Sequence, residues 1–430
     1  MLKNNEKVYI LSLGSALDPY VDHFCNEYKM LLKEIGYDVE HIFYQNIDAV
    51  NKATFVGKGK LEAIHDYYLD NKDNGVRKLA CAFEITAVQK KNIERITGLT
   101  VFDRTQVILD IFDNNAKTRE AKLQVEIAKL NYSKAHLINE SASYSQVTSG
   151  GGAHNKGEGE KEIELKRRRI AASILQKRKE LEDIKFARSN SRSARRDSAV
   201  PKISIVGYTN AGKSTLMNKL LNASKAKEKK SVLQKDALFA TLETSTRLIS
   251  IHDYPEFILT DTVGFISDLP HYLIDAFRST LEEITEADLL IQVVDSHSPF
   301  LNDEARTTNE VLTSLGANTK KMIYLYNKYD LLDKGGFTTL PKKNERYVSL
   351  QNDDDIETIA AFIADALSYD WNKTNLLLPY SIDINGFKKE NYCLEIIEKE
   401  NGHFVTARLN PKTDYKYKGY LIWSFSLYNL

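Results

Sequence analysis

The segment Val206-Gly207-Tyr208-Thr209-Asn210-Ala211-Gly212-Lys213-Ser214-Thr215 constrains this chain more than any other. It carries the pattern G-x-x-x-x-G-K-[ST]. An apolar run, Ile203 to Val206, precedes it and reads as a buried strand, and Leu216, Leu220 and Leu221 follow at helical spacing. Strand, glycine-bounded loop and helix are the context in which this pattern becomes a phosphate cradle. Gly207 and Gly212 let the backbone approach an anion closely because neither has a Cβ. Successive N–H groups and the helix N-terminus then face the phosphates. Lys213 is placed to reach the β- and γ-phosphates, and the Ser214 hydroxyl suits Mg²⁺.

Two downstream elements remove the reading of a chance glycine turn. The strand Phe257 to Leu259 ends at Asp261-Thr262-Val263-Gly264, 54 residues after Gly207. An Asp at a strand end suits a carboxylate near Mg²⁺, acting through a bound water. The Gly three residues on suits an N–H near the γ-phosphate. The strand Met322 to Tyr326 then meets Asn327-Lys328-Tyr329-Asp330. The Asp330 carboxylate can accept from both N1–H and the exocyclic amino group of guanine, and adenine offers neither there. A site built for those groups rejects the analogue, because buried polar groups would go unpaired. The ligand expected is GTP or GDP with Mg²⁺.

The rest of the chain divides by texture. At 430 residues it exceeds one ordinary core, so about three folded units are expected. Residues 1–113 alternate strand-like and helix-like runs: strands at Val8–Leu13, Asp38–Tyr44 and Lys78–Phe83, and helices at Leu61–Leu69, Val88–Ile96 and Thr105–Phe112. That alternation predicts an α/β domain with a mostly parallel sheet. Within it Gly57-Lys58-Gly59-Lys60 is either a solvated helix start or a grip on RNA phosphate. Residues 114–197 read as two antiparallel helices around a glycine-rich tip, Ser149 to Gly159, which holds five of the chain's 20 glycines. The second helix is basic, with thirteen Lys or Arg against six Asp or Glu between Glu160 and Arg196. The Ser/Arg-rich run Arg188 to Ser198 reads as a linker. Residues 198–368 hold the nucleotide motifs. Residues 369–430 read as a small α+β domain with a hairpin across Glu400-Asn401-Gly402-His403, and core packing for most of its aromatics.

Lys plus Arg and Asp plus Glu each number 59, so affinity for nucleic acid must come from a local patch, and the basic helix is that patch. No apolar run approaches the ~20 residues that span a bilayer. The start of the chain shows no signal-peptide pattern. Cys25, Cys81 and Cys393 are far apart and read as reduced thiols. A cytoplasmic, monomeric protein is expected, with RNA but not DNA as the polyanionic partner.

The chain resembles the translation-factor-class GTPases and, within them, the HflX family. The resemblance is carried by Phe55 to Lys60, Phe102 to Phe112, Ala116 to Glu126, the glycine-rich tip with Arg167-Arg168-Arg169-Ile170, Phe239-Ala240-Thr241-Leu242, and Asp261 to Ile266. It implies an N-terminal α/β domain with a projecting helical hairpin, a GTPase domain and a small C-terminal domain. It further implies binding to the large ribosomal subunit and its RNA, splitting of stalled or idle ribosomes, notably under heat stress, and stimulation of GTP hydrolysis by that subunit. A ribosome-assembly GTPase, or an RNA-binding protein in which nucleotide only gates affinity, stays open as an alternative.

By the same resemblance the switch threonine is Thr241, with Thr244 and Thr246 as competitors, beside Phe239 and Ala240. Ser349-Leu350 stands at the fifth guanine-binding element, where the family usually has Ser-Ala, and the tip departs from the family's Gly-Glu-Thr-Gln string. Lys213, Thr241 and Gly264 are the expected catalytic groups, and Ser214, Thr241 and Asp261 the expected metal ligands. Phe265 stands where related enzymes carry a water-orienting Gln, so slow intrinsic turnover is expected.

Overall fold

The computed structural model describes residues 6–47, 49–147, 156–196, 200–224, 245–262, 264–266, 281, 283–332, 341–352 and 355–422, and the chain forms two compact units. Thr241 with its competitor Thr244 and its neighbours Phe239 and Ala240, Val263, tip residues 148–155 and the last aromatics Trp423, Phe425 and Tyr428 lie outside the described residues.

The first unit opens with β1 (Glu6–Leu13), α1 (Pro19–Glu34), β2 (Tyr37–Gln45), α2 (Lys58–Asp70), β3 (Lys78–Cys81), α3 (Ala87–Thr97), β4 (Thr100–Asp103) and α4 (Arg104–Asn115). Its sheet is wholly parallel in the order β2-β1-β3-β4. Val8, Tyr9, Ile10 and Leu11 are all buried, the continuous apolar run expected of a strand covered on both faces. Strand β4 is a correction to the sequence reading, which passed from helix to helix there. Four residues are too few to show a period, and Val101, Phe102 and Asp103 are all buried. The clue was Gly98, which closes α3 in the left-handed region at φ 73.

Helices α5 (Arg119–Val147) and α6 (Lys156–Arg196) follow. Arg119 pairs with Glu180, Lys177 pairs with Glu126, and Arg167 donates to the Leu137 carbonyl. Advancing positions on one helix meet receding positions on the other, so the two run antiparallel. Leu123 and Ile127 on α5 and Ile174 on α6 are buried. Two corrections apply here. Gly157 and Gly159, assigned to the tip, fall in the first turn of α6. The supposed linker from Arg188 is helical to Arg196, because the run has neither Pro nor Gly and its Arg and Ala residues favour helix.

The second unit holds β5 (Lys202–Val206), α7 (Lys213–Ala223), β6 (Ser245–Ile249), β7 (Phe257–Asp261), β8 (Leu289–Asp295), α8 (Leu301–Ser314), β9 (Met322–Asn327), β10 (Glu345–Tyr347) and α9 (Asp355–Ser368). These strands form one sheet in the order β10-β9-β8-β5-β7-β6, antiparallel only at β6. Leu216 and Leu220 of α7 and Ile359, Ile363 and Leu367 of α9 repeat every four residues and pack on the buried strand positions Ile203, Ile205, Leu259, Ile291 and Leu325. The same unit ends with β11 (Asn372–Leu378), α10 (Ile384–Glu390), β12 (Tyr392–Lys399) and β13 (Gly402–Leu409), an antiparallel sheet in the order β11-β13-β12. Tyr417 is buried edge-on against Phe387 and Tyr420 packs on the same core, while Tyr415 is exposed.

Candidate nucleotide site

Strand β5 runs through the centre of its sheet, and its carboxyl end delivers Gly207 to Gly212 into the start of α7. Two backbone constraints explain the glycines. Gly207 has φ +143, and a Cβ there would stand 2.3 Å from the Val293 carbonyl oxygen on β8. Gly212 has φ +108, and its Cβ would stand 2.3 Å from Asn327 Nδ2. Asn210, at φ 60, is the exposed crest of the loop. Thr209 N donates to the Phe265 carbonyl at 2.7 Å and Phe265 N donates to the Gly207 carbonyl at 3.1 Å. The loop is thereby clamped to the residues that follow Asp261 to Gly264.

Lys213 is buried, and its Nζ donates to the Tyr208 carbonyl at 2.5 Å. Burial lowers its ammonium to about 8, and the Asp261 charge opposes that shift. Ser214 Oγ donates to Asp261 Oδ2 at 2.8 Å, and Asp261 is fully buried at the end of β7. A hydroxyl and a carboxylate converging beside a phosphate loop are the hard oxygen donors that a small divalent cation takes. Among the described residues no group of three or more His, Cys, Asp or Glu could hold a metal. Such an ion would therefore draw on Ser214, Asp261 and the nucleotide's own phosphates, and the donor set fits Mg²⁺.

Gly264 packs against this cluster. A Cβ on it would lie 2.8 Å from Lys213 Nζ and 2.9 Å from Thr209 Cγ2. The Thr262 hydroxyl donates to the Ile205 carbonyl at 2.6 Å, so its side chain ties the end of β7 to β5. Phe265 is 2 % exposed, with its ring in the core. Ala211 is buried, and Thr215 is half-buried in the first turn of α7.

The guanine motif is assembled from three loops. Asn327 Nδ2 donates to the Ala211 carbonyl at 2.9 Å and Asn327 Oδ1 accepts from Leu350 N at 3.0 Å. One side chain thus ties the phosphate loop to the segment after β10, where Ser349 and Leu350 are both buried. Ser349 N donates to Asp355 Oδ2 at 2.7 Å, which fixes that segment on α9. Lys328 takes the left-handed conformation at φ 65, and Asp330 follows it, exposed, in a single 3₁₀ turn. Two supporting residues were missed in the sequence. Asp295 binds Lys328 Nζ at 2.6 Å, and Ser296 Oγ donates to the Asn327 carbonyl at 2.6 Å. Their signal was an Asp-Ser pair closing an apolar strand next to the guanine-motif strand.

Three family models match the chain in succession: "GTP-binding GTPase N-terminal" over residues 22–113, "GTP-binding GTPase Middle Region" over 115–195, and "50S ribosome-binding GTPase" over 202–328. The chain is 34% identical over 426 residues to the GTPase HflX of Caldanaerobacter subterraneus, covering 98% of this chain and 95% of that one. It is 40% identical over 330 residues to the GTPase HflX of Lacrimispora saccharolytica, covering 77% and 75%. To the GTPase HflX of Escherichia coli it is 32% identical over 378 residues, covering 87% and 85%. With the phosphate loop, the Ser214–Asp261 pair and the Asn327 brace all in one site, the chain belongs to the HflX family of GTPases and is a P-loop GTP hydrolase.

Proposed function

We propose that this GTPase binds the large ribosomal subunit through its RNA and separates the subunits of stalled or idle ribosomes, with the ribosome stimulating hydrolysis. The match of residues 202–328 to a family described as a 50S ribosome-binding GTPase carries this reading. The charge of α6 supports it. Arg168, Arg169 and Lys179 are exposed there, and cations on a long helix suit a polyphosphate partner. The division of labour we propose follows residues 1–113, 114–197, 198–368 and 369–430, acting as a monomer in the cytoplasm.

At the nucleotide, Gly207 to Thr215 cradle the phosphates, and Asn327, Lys328, Asp330, Ser349 and Leu350 surround the guanine. Ser214 and Thr241, with Asp261 through a water, would hold Mg²⁺, whose charge offsets that of the phosphates when bound. Lys213 is the buried cation in reach of the phosphates, and its ammonium stabilises charge that builds up as the γ-phosphoryl group passes to water. The Gly264 N–H and Thr241 would hold the γ-phosphate end. A phenyl ring has no hydrogen-bonding group to orient the attacking water, so the free enzyme turns over slowly and a partner completes the site. Such partners supply on the order of 10³–10⁵ in rate.

The test is GTP turnover with and without purified large subunits, alongside sedimentation of joined ribosomes mixed with the protein. Stimulated turnover and a shift of joined ribosomes into subunits are expected. Equal rates in both arms would rule the reading out.

A further inference from the structure

In the first unit, the chain leaves β1 for β2 on one side and returns to β3 on the other, so its path reverses between β1 and β3. Open parallel sheets bind small molecules in the crevice beyond their carboxyl ends at such a reversal. A cavity of 380 Å³ lies there, at the ends of β1 and β3 and the starts of α1 and α4. That volume is in the range of small-molecule pockets. Its walls include Leu13, Tyr20, Phe24 and Phe83, with Glu84 and Arg104 as its charged members.

Crevices of this kind usually seat an anion on a helix N-terminus. Here carboxylates already hold those positions. Asp18 accepts from Tyr20 N at 2.9 Å at the start of α1. Asp103 accepts from Gln106 N at 2.9 Å at the start of α4, and from Ile85 N at 3.4 Å. Arg104 offers no free charge to a ligand either: it is buried against Glu27, and its guanidinium lies 4.3 Å from the centre of the Phe24 ring. Glu84 is the charge left over. Among the described residues no cation pairs with it, and partial enclosure with the nearby Asp103 charge pushes its carboxyl above the ordinary range.

We propose that this crevice binds a small organic cation, a protonated amine seated against Glu84 with an apolar or aromatic body among Tyr20, Phe24 and Phe83. Aromatic faces and a carboxylate attract the same kind of ligand, and Arg104 over Phe24 is the protein's own example of a cation on one of those faces. Phe83 is pre-oriented by stacking on Phe55 with ring centres 4.1 Å apart, so the wall is in place before a ligand arrives. This inference is independent of the GTPase reading.

The experiment titrates the full chain with 2-phenylethylamine, 3-phenylpropanoate and adenosine monophosphate by calorimetry and ligand-observed NMR. The amine is expected to bind about tenfold or more tightly than either anion. Glu84→Gln, in a solvent-contacting loop, and Tyr20→Ala, at a half-exposed position, should each weaken the amine by a similar factor while GTP binding stays unchanged. Absence of amine binding at millimolar concentration overturns the proposal. So does an anion binding as well as the amine, or amine binding that survives both substitutions.

Discussion

Lys388 Nζ lies 2.6 Å from the Asp253 carboxylate, which ties the turn between β6 and β7 to α10 of the C-terminal sheet. Asp253 itself sits at φ 69, and the neighbouring Glu256 N donates to the Lys389 carbonyl at 2.7 Å. This hairpin pairs Ser245 with Asp261, so the C-terminal residues brace a strand that ends in the nucleotide site. The pair is partly exposed, and Asp253→Asn should cost no more than about 1 kcal/mol and less at high salt. The Lys388 hydrogen bond, and then His252, hold the Asp253 carboxyl below its ordinary 3.8. A depressed carboxyl supports the fold fully above its unfolded value, and that support is lost as pH falls through the folded value. The difference in unfolding free energy between wild type and Asp253→Asn should therefore be flat above about pH 4 and close below it.

Gly264→Ala should separate binding from turnover. Its new methyl would need space now held by Lys213 Nζ and Thr209 Cγ2, so the loop must move. Displacements on the scale of an ångström cost on the order of 10² in rate. Single-turnover GTP hydrolysis should fall by about that factor with GDP affinity little changed.

Asp330→Asn should exchange one base for another. An amide in place of the carboxylate loses the acceptor for guanine's N1–H and amino group but can donate to a carbonyl at the same ring position, as xanthine offers. Loss of GTP affinity by roughly 10⁴-fold is expected, on the scale seen when a built hydrogen-bond set is left unpaired. Binding of xanthosine triphosphate should appear in the same titration.

Glu27→Ala should unfold the first unit at lower denaturant. The side chains of Arg104 and Glu27 are only 4% and 9% exposed, so removing one strands the other charge in the core. The expected loss is about 3–5 kcal/mol, read from urea unfolding. Replacing both partners together, Glu27→Leu with Arg104→Met, should recover most of it.

Neutralising Arg168, Arg169 and Lys179 on α6 should weaken ribosome binding without changing nucleotide affinity. The slope of log affinity against log salt should drop by about 0.7–0.9 for each phosphate that the helix no longer neutralises. An unchanged slope would separate the basic helix from the ribosome.

The nucleotide motifs could be read from the chain alone because each is a short local string whose chemistry depends on residue type. Gly207, Gly212, Lys213, Ser214, Asp261 and Asn327 to Asp330 are all contained in three such strings, and the apolar runs before them marked their strands. What the strings could not show was which atoms they turn toward one another. Asn327, read as a guanine-motif residue, is also the brace between Ala211 and Leu350, 116 and 23 residues away in sequence. The Thr262 hydroxyl bonds the Ile205 carbonyl of β5. Asp295 and Ser296 serve the guanine motif only because β8 and β9 are neighbours in the sheet. Strand β4 escaped notice because four buried residues carry no periodicity, and the long reach of α6 because Ser and Arg permit a helix as readily as a linker. Local composition decides what chemistry a segment can perform. Packing across the sheet, where hydrogen bonds must be satisfied by whatever the fold brings near, decides which side chains perform it and which hold the others in place.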